Sequence, residues 1–134
     1  MIVVKDESLP VRVSEDVVRV RQVVRGQAIA AGFSLVDQTK IVTAASEIAR
    51  NTLDYAGGGE ARIETLHNGA HHGVRVTFSD QGPGIADLAL AMADGYTTGN
   101  GLGLGLGGAK RLSNEFVIES KPGVGTKVTF ARWR

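Results

Sequence analysis

Two glycine clusters constrain this chain more than any other feature. "SDQGPGI" spans 79–85 and "GNGLGLGLGG" spans 99–108, within a chain that holds 18 glycines in 134 residues. Glycine inside an element costs chain entropy, so such density points to backbone that must turn sharply or approach a ligand closely. An aspartate, Asp80, opens the first cluster. The length suits one domain with a real core.

The remaining composition narrows the function classes. There is no cysteine, which excludes disulfides and thiolate metal sites and suits the cytoplasm. The start, "MIVVKDESLP", has too short an apolar run for a signal peptide, and no run approaches the ~18 residues of a membrane span. A net charge of +1 gives no basic patch for nucleic acid, and 5% aromatic residues give no stacking platform for bases.

Periodicity gives the order ββαα, ββ, helix, loop, helix, ββ. "IVVK" (2–5) and "VRV" (11–13) read as two short strands separated by Pro10. Ser14 is a candidate N-cap for a helix over about 15–31, with Val17, Val20, Val24 and Ala28 at helical spacing and Gly32 at its end. Ser34 or Asp37 can cap a second helix over about 36–55. Val36, Ile41, Ala45, Ile48 and Thr52 trace its apolar side, and "AGGG" (56–59) ends it.

"EARIETL" (60–66) and "VRVTFS" (74–79) read as strands around a loop, "HNGAHHG", with Asn68-Gly69 as its turn. A short helix is expected over 86–94, a loop over 95–101 and a helix over about 103–114. "EFVIES" and "TKVTFARW" form a hairpin around "KPGVG". Grouped helices and hairpin-linked strands predict an α/β sandwich, one sheet with helices on one face.

Several small constellations carry chemistry. Glu47 and Asn51 are four apart on the second helix and share a face, beside the apolar stripe. Such a pair is either a solvated surface or part of a site. Asp80 falls at a strand end, where a carboxylate can accept from an exocyclic amino group. Gly82 and Gly84 would let a flat ring lie against the backbone, although an ordinary turn explains them too.

Three phosphate motifs compete for "GLGLGLGG". A Walker loop fails because Lys110 follows Ala109 and precedes Arg111. Gly103, Gly105 and Gly108 match a dinucleotide fingerprint by letter, with Glu119 downstream, but no buried strand precedes them. The third reading is a flexible glycine lid whose amides hold a triphosphate. Gly125-Thr126 opens the last strand, where a hydroxyl can join a network near Asp80. His67, His71 and His72 read as solvated loop histidines, and Trp133 as packing on a strand end.

The order "EIARN", "DQGPG", "GLGLGLGG", "GT" over residues 47–126 resembles the GHKL ATP-binding superfamily of histidine kinases, gyrase, the Hsp90 chaperone and MutL. The resemblance implies the Bergerat fold, a two-layer α/β sandwich with a mixed, mostly antiparallel sheet and helices on one face. Within that superfamily, "VDQTKIVTAASEIARNTLDYAGGG", "DQGPGI", "ADGYTTGNGLGLGL", "AKRL" and the Trp-bearing end are similar to the anti-sigma-factor serine/threonine kinases. No dimerisation or phosphoacceptor-His segment and no second domain is found. Residues 1–134 are therefore expected to form a single kinase domain.

The resemblance implies roles residue by residue. Asn51 matches the asparagine whose amide oxygen ligates Mg²⁺, and Glu47 the glutamate that orients or deprotonates the attacking hydroxyl. Asp80 matches the adenine-reading aspartate, with Gly82 and Gly84 beside the purine. Gly101, Gly103 and Gly105 match the lid glycines, and Thr126 the residue that supports adenine recognition through water. Many members carry a basic residue or His where this chain has Tyr55.

The cofactors so implied are ATP and Mg²⁺. The implied partners are STAS-domain antagonist and scaffold proteins of the RsbS and RsbR type and a PP2C-type phosphatase of the RsbU type. Neither a membrane nor a nucleic acid is among them. The competing class is a non-catalytic, ATP-gated adaptor or anti-sigma factor that sequesters a partner.

Overall fold

The computed structural model describes residues 1–85 and 105–134. The elements in chain order are β1 (Ile2–Val11), α1 (Ser14–Ala30), α2 (Leu35–Ala56), β2 (Gly59–Asn68), β3 (His71–Asp80), α3 (Gly105–Arg111), β4 (Glu115–Lys121) and β5 (Gly125–Trp133). The helix and loop expected over 86–101 lie outside the described residues.

The strands form one sheet in the order β1-β2-β3-β5-β4, and its four ladders are all antiparallel. Pro10 does not split β1. It pairs with Glu60 on a strand at the edge of the sheet, where a missing N–H costs no ladder bond. The strand ends at Val11, and Arg12 and Val13 lead into α1.

Ser14 is the first residue of α1 rather than its cap. Asp16 supplies the cap from within the helix. Its Oδ2 accepts the N–H groups of Arg12 (2.8 Å) and Val13 (3.2 Å), and Arg19 bonds its other oxygen. These donors, the Arg12 amide foremost, hold the Asp16 carboxyl below its ordinary value. At the other end Gly32 (φ +86°) turns the chain, and Phe33 N–H returns to Ala28 O at 3.0 Å.

On α2, Ser34 Oγ accepts the Asp37 N–H at 3.2 Å, so the serine is the cap. Gly57 (φ +74°) closes the helix by donating to Leu53 O. Ile41, Ala45, Ile48 and Thr52 are buried as expected. Val36 is exposed, because the first turn of α2 overhangs the core rather than entering it.

The core lies between the helices and one face of the sheet. Val17, Val20, Val24 and Ala28 of α1 and Ile41, Ala44, Ala45 and Ile48 of α2 meet Ile63, Val76, Phe78, Val128 and Phe130. Alternation along each strand puts these side chains on one face and polar ones on the other. The opposite face carries a groove of about 450 Å³ lined by Arg62, Glu64, Arg75, Thr77, Lys127 and Thr129. There Arg75 holds buried Glu64 through two bonds, 2.9 and 3.1 Å. Arg62 pairs with Asp6 and draws its carboxyl below the ordinary range.

The β2–β3 turn is shorter than the sequence suggests. His67 pairs with His72 and Asn68 with His71, leaving Gly69 (φ +63°) and Ala70 between the strands. Glycine at the first central position permits this two-residue reversal. The rings of His67 and His72 stack across the hairpin at 4.6 Å. Trp133 lies over Gly73, where a Cβ would stand 2.7 Å from the indole, and its Nε1 donates to Glu115 Oε2.

Candidate functional site

The sheet register builds the first half of the site. Core-facing rows run across β3, β5 and β4: Val76–Phe130–Phe116, then Phe78–Val128–Ile118. The next row in the same alternation is Asp80–Thr126–Ser120. The apolar face therefore ends in a polar row at the edge of the core. Asp80 Oδ1 accepts the Gly82 N–H at 2.9 Å and the Thr126 N–H at 3.2 Å. Two amide donors fix the plane of the carboxylate, while Oδ2 extends from the same carbon as a second acceptor.

The loop after Asp80 is clamped on both sides. Gly123 of the β4–β5 hairpin donates to Pro83 O at 2.7 Å, and the Ile85 N–H donates to Ser120 Oγ at 2.7 Å. Glycine is needed here for contacts within the protein. A Cβ on Gly82 would lie 2.5 Å from Ala56 Cβ, and one on Gly84 (φ +75°) would lie 2.3 Å from Lys121 O. Gly125 (φ +146°) is equally closed, with Asp80 O at 2.2 Å from its missing Cβ.

The second half comes from α2. The close fit of Gly82 on Ala56 seats the Asp80 loop against the last turn of that helix. One turn earlier stands Asn51, and one turn before it Glu47; both are buried. Glu47, at 1% exposure, accepts the N–H of Gly105 through Oε1 at 3.0 Å, which ties the start of α3 (φ +64° at Gly105) to α2.

Asn51 differs. Its Oδ1 is buried and has no hydrogen-bond partner among the described residues. An unpaired buried acceptor costs about 1–3 kcal/mol, so its retention asks for a reason. A neutral amide oxygen is a suitable ligand for a hard divalent cation that also bridges phosphates. The donor set thus fits Mg²⁺ at this atom. Among the described residues no cluster of three or more His, Cys, Asp or Glu offers another metal site.

Glu47, Asn51, Asp80, Gly82, Gly84, Gly105 and Thr126 therefore gather around the C-terminal half of α2 and the ends of β3 and β5. Gly101 and Gly103 lie outside the described residues. Tyr55, one turn beyond Asn51, is 43% exposed. The sequence reading missed Ser120. Its signal was available in the hairpin: pairing around "KPGVG" sets Ser120 opposite Thr126.

The family model described as histidine kinase-, DNA gyrase B- and HSP90-like ATPase matches residues 36–134. The serine/threonine-protein kinase RsbT of Bacillus subtilis (strain 168) is 45% identical over 118 residues, which is 88% of this chain and 89% of that protein. The crystal structure of the RsbU and RsbW domains of Rv1364c from Mycobacterium tuberculosis superposes with a TM-score of 0.63 at 20% identity. It covers 96% of this chain, while this chain spans 33% of that one. That likeness is one of fold. With the family model spanning both halves of the site, the chain belongs to the histidine kinase-, DNA gyrase B- and HSP90-like ATPases.

Proposed function

We propose that residues 1–134 form a single ATP-dependent protein serine/threonine kinase domain of a bacterial partner-switching pathway. The observation that carries this reading is the buried, unpartnered Oδ1 of Asn51, one helical turn from buried Glu47 and beside the clamped Asp80 loop. The 45% identity to RsbT over most of both chains supports the choice of kinase among the activities of the superfamily.

In this reading Asp80 accepts the amino group of adenine, Gly82 and Gly84 shape the turn beneath the purine, and Thr126 supports its edge. Phosphate binding is assigned to Gly101, Gly103 and Gly105. Asn51 would hold Mg²⁺, which when bound would supply charge neutralisation at the phosphates. A partner presents a Ser or Thr hydroxyl in line with the γ-phosphate. Glu47 takes the proton from that hydroxyl as its oxygen bonds to phosphorus and the ADP oxygen leaves. Positioning and charge neutralisation then account for most of the catalysis.

The substrates so proposed are STAS-domain antagonist and scaffold proteins. The released kinase would bind and activate a PP2C-type phosphatase. Both events belong to the cytoplasm, and no described helix is long and apolar enough to cross a membrane.

The test mixes the protein with Mg-ATP labelled at the γ-phosphate and STAS-domain proteins encoded beside it. Label on a Ser or Thr of one of them, lost by at least about 10²-fold in Glu47→Gln, is the expected result. Nucleotide binding without transfer to any such protein would favour a nucleotide-gated adaptor instead.

A further inference from the structure

We propose that Ser120 is a positioning residue that makes this nucleotide site select a 6-aminopurine over a 6-oxopurine. It does so by fixing the direction in which the Thr126 hydroxyl donates. The inference rests on the reading of Asp80 as the purine-binding carboxylate.

Ser120 is the third member of the polar row Asp80–Thr126–Ser120. Its half-buried hydroxyl has three neighbours. It accepts the Ile85 N–H at 2.7 Å, shares a 2.8 Å bond with Thr126 Oγ1, and lies 3.3 Å from Gly125 O. A serine hydroxyl has one proton to give. The Ile85 amide already supplies a donor to this oxygen. The proton therefore goes either to Thr126 or to Gly125 O.

The two directions are unequal. If Ser120 donates to Thr126, the bond is 2.8 Å, and the Thr126 proton is left to donate to a ligand. If Thr126 must instead accept from a ligand, its own proton either goes without an acceptor or turns to Ser120. Ser120 is then left with the 3.3 Å contact, longer than an ordinary O–H···O bond. The chain Ser120→Thr126→ligand is the better one, so Thr126 presents a donor.

Beside it Asp80 presents only acceptors. A carboxylate next to a hydroxyl donor matches an amino group next to an unprotonated ring nitrogen, which is the 6-aminopurine edge. A 6-oxopurine offers a carbonyl and a ring N–H in those places and meets like against like at both.

The test measures Mg-ATP and Mg-ITP affinities by calorimetry for wild type, Ser120→Ala, Ser120→Thr and Asp80→Asn. Removing the Ser120 hydroxyl frees Thr126 to donate or accept. The ATP-over-ITP preference should then fall by about tenfold, the worth of one oriented hydrogen bond. Ser120→Thr keeps the hydroxyl and should keep the preference. The Gly123–Pro83 bond holds the loop in each variant, and a thermal melt checks folding.

An unchanged preference in Ser120→Ala, or an equal loss for both nucleotides, would overturn the assignment, since a loosened loop weakens both alike. If Asp80→Asn leaves both affinities unchanged, the purine reading itself fails, and the proposal fails with it. That outcome is separate from a failure at Ser120.

Discussion

The two ends of the site are built to different degrees of completion. At the strand end, Asp80, Thr126, Ser120 and the loop over 81–85 satisfy one another through four bonds of 2.7–3.2 Å. At the helix end, Asn51 buries an acceptor that no group among the described residues meets. A finished polar network fixes geometry before a ligand arrives. An unfinished one carries a cost that a ligand can relieve. The difference assigns recognition to the strand end and ligand-completed chemistry to the helix end.

The comparison is broken most severely at Asn51. Asn51→Leu should reduce phosphoryl transfer to a partner by about 10³-fold through loss of the ligating oxygen. It should also raise unfolding stability by about 1 kcal/mol, because the orphaned acceptor is gone. Chemical denaturation beside a transfer assay checks both. A variant that loses stability and activity together would make Asn51 an ordinary core residue.

Gly125→Ala attacks the finished end. Its Cβ would stand 2.2 Å from Asp80 O at a φ of +146°. A loss of about 2–4 kcal/mol in urea denaturation is expected, with ATP affinity falling as the Asp80 row shifts. Asp80→Asn is milder on the fold. It exchanges a charge-assisted acceptor for a neutral amide and should weaken ATP by about 10- to 100-fold in calorimetry.

Asp16 sharpens the comparison by separating a structural carboxylate from a ligand-reading one. Its carboxyl is held below its ordinary range in the folded state, chiefly because it accepts the Arg12 amide. A depressed carboxylate stabilises fully above its unfolded pKa and loses that contribution as pH falls through the folded value. Asp16→Asn should therefore flatten the acid limb of the stability profile below about pH 4 and leave ATP affinity unchanged.

Periodicity made most of the fold legible. The valines of α1 and the caps at Ser34, Gly32 and Gly57 follow from spacing and local chemistry. Pro10 misled, because sequence does not say that β1 is an edge strand. Val36 misled because helical spacing gives a face but not how far that face reaches over the core. At the site, Glu47, Asn51 and Asp80 stood out by residue type and order. The reason for Gly82 and Gly84 did not. Their missing side chains face Ala56 and Lys121, contacts set by tertiary packing. Ser120 needed the hairpin register before its link to Thr126 could be read.

The most direct test of the account compares ATP binding by wild type and Asn51→Leu, each with and without Mg²⁺. The account predicts that Mg²⁺ tightens wild-type binding by about tenfold or more and that Asn51→Leu binds ATP equally with and without the ion. An equal Mg²⁺ effect in both proteins would contradict it, because the buried amide oxygen would then have no part in holding the metal.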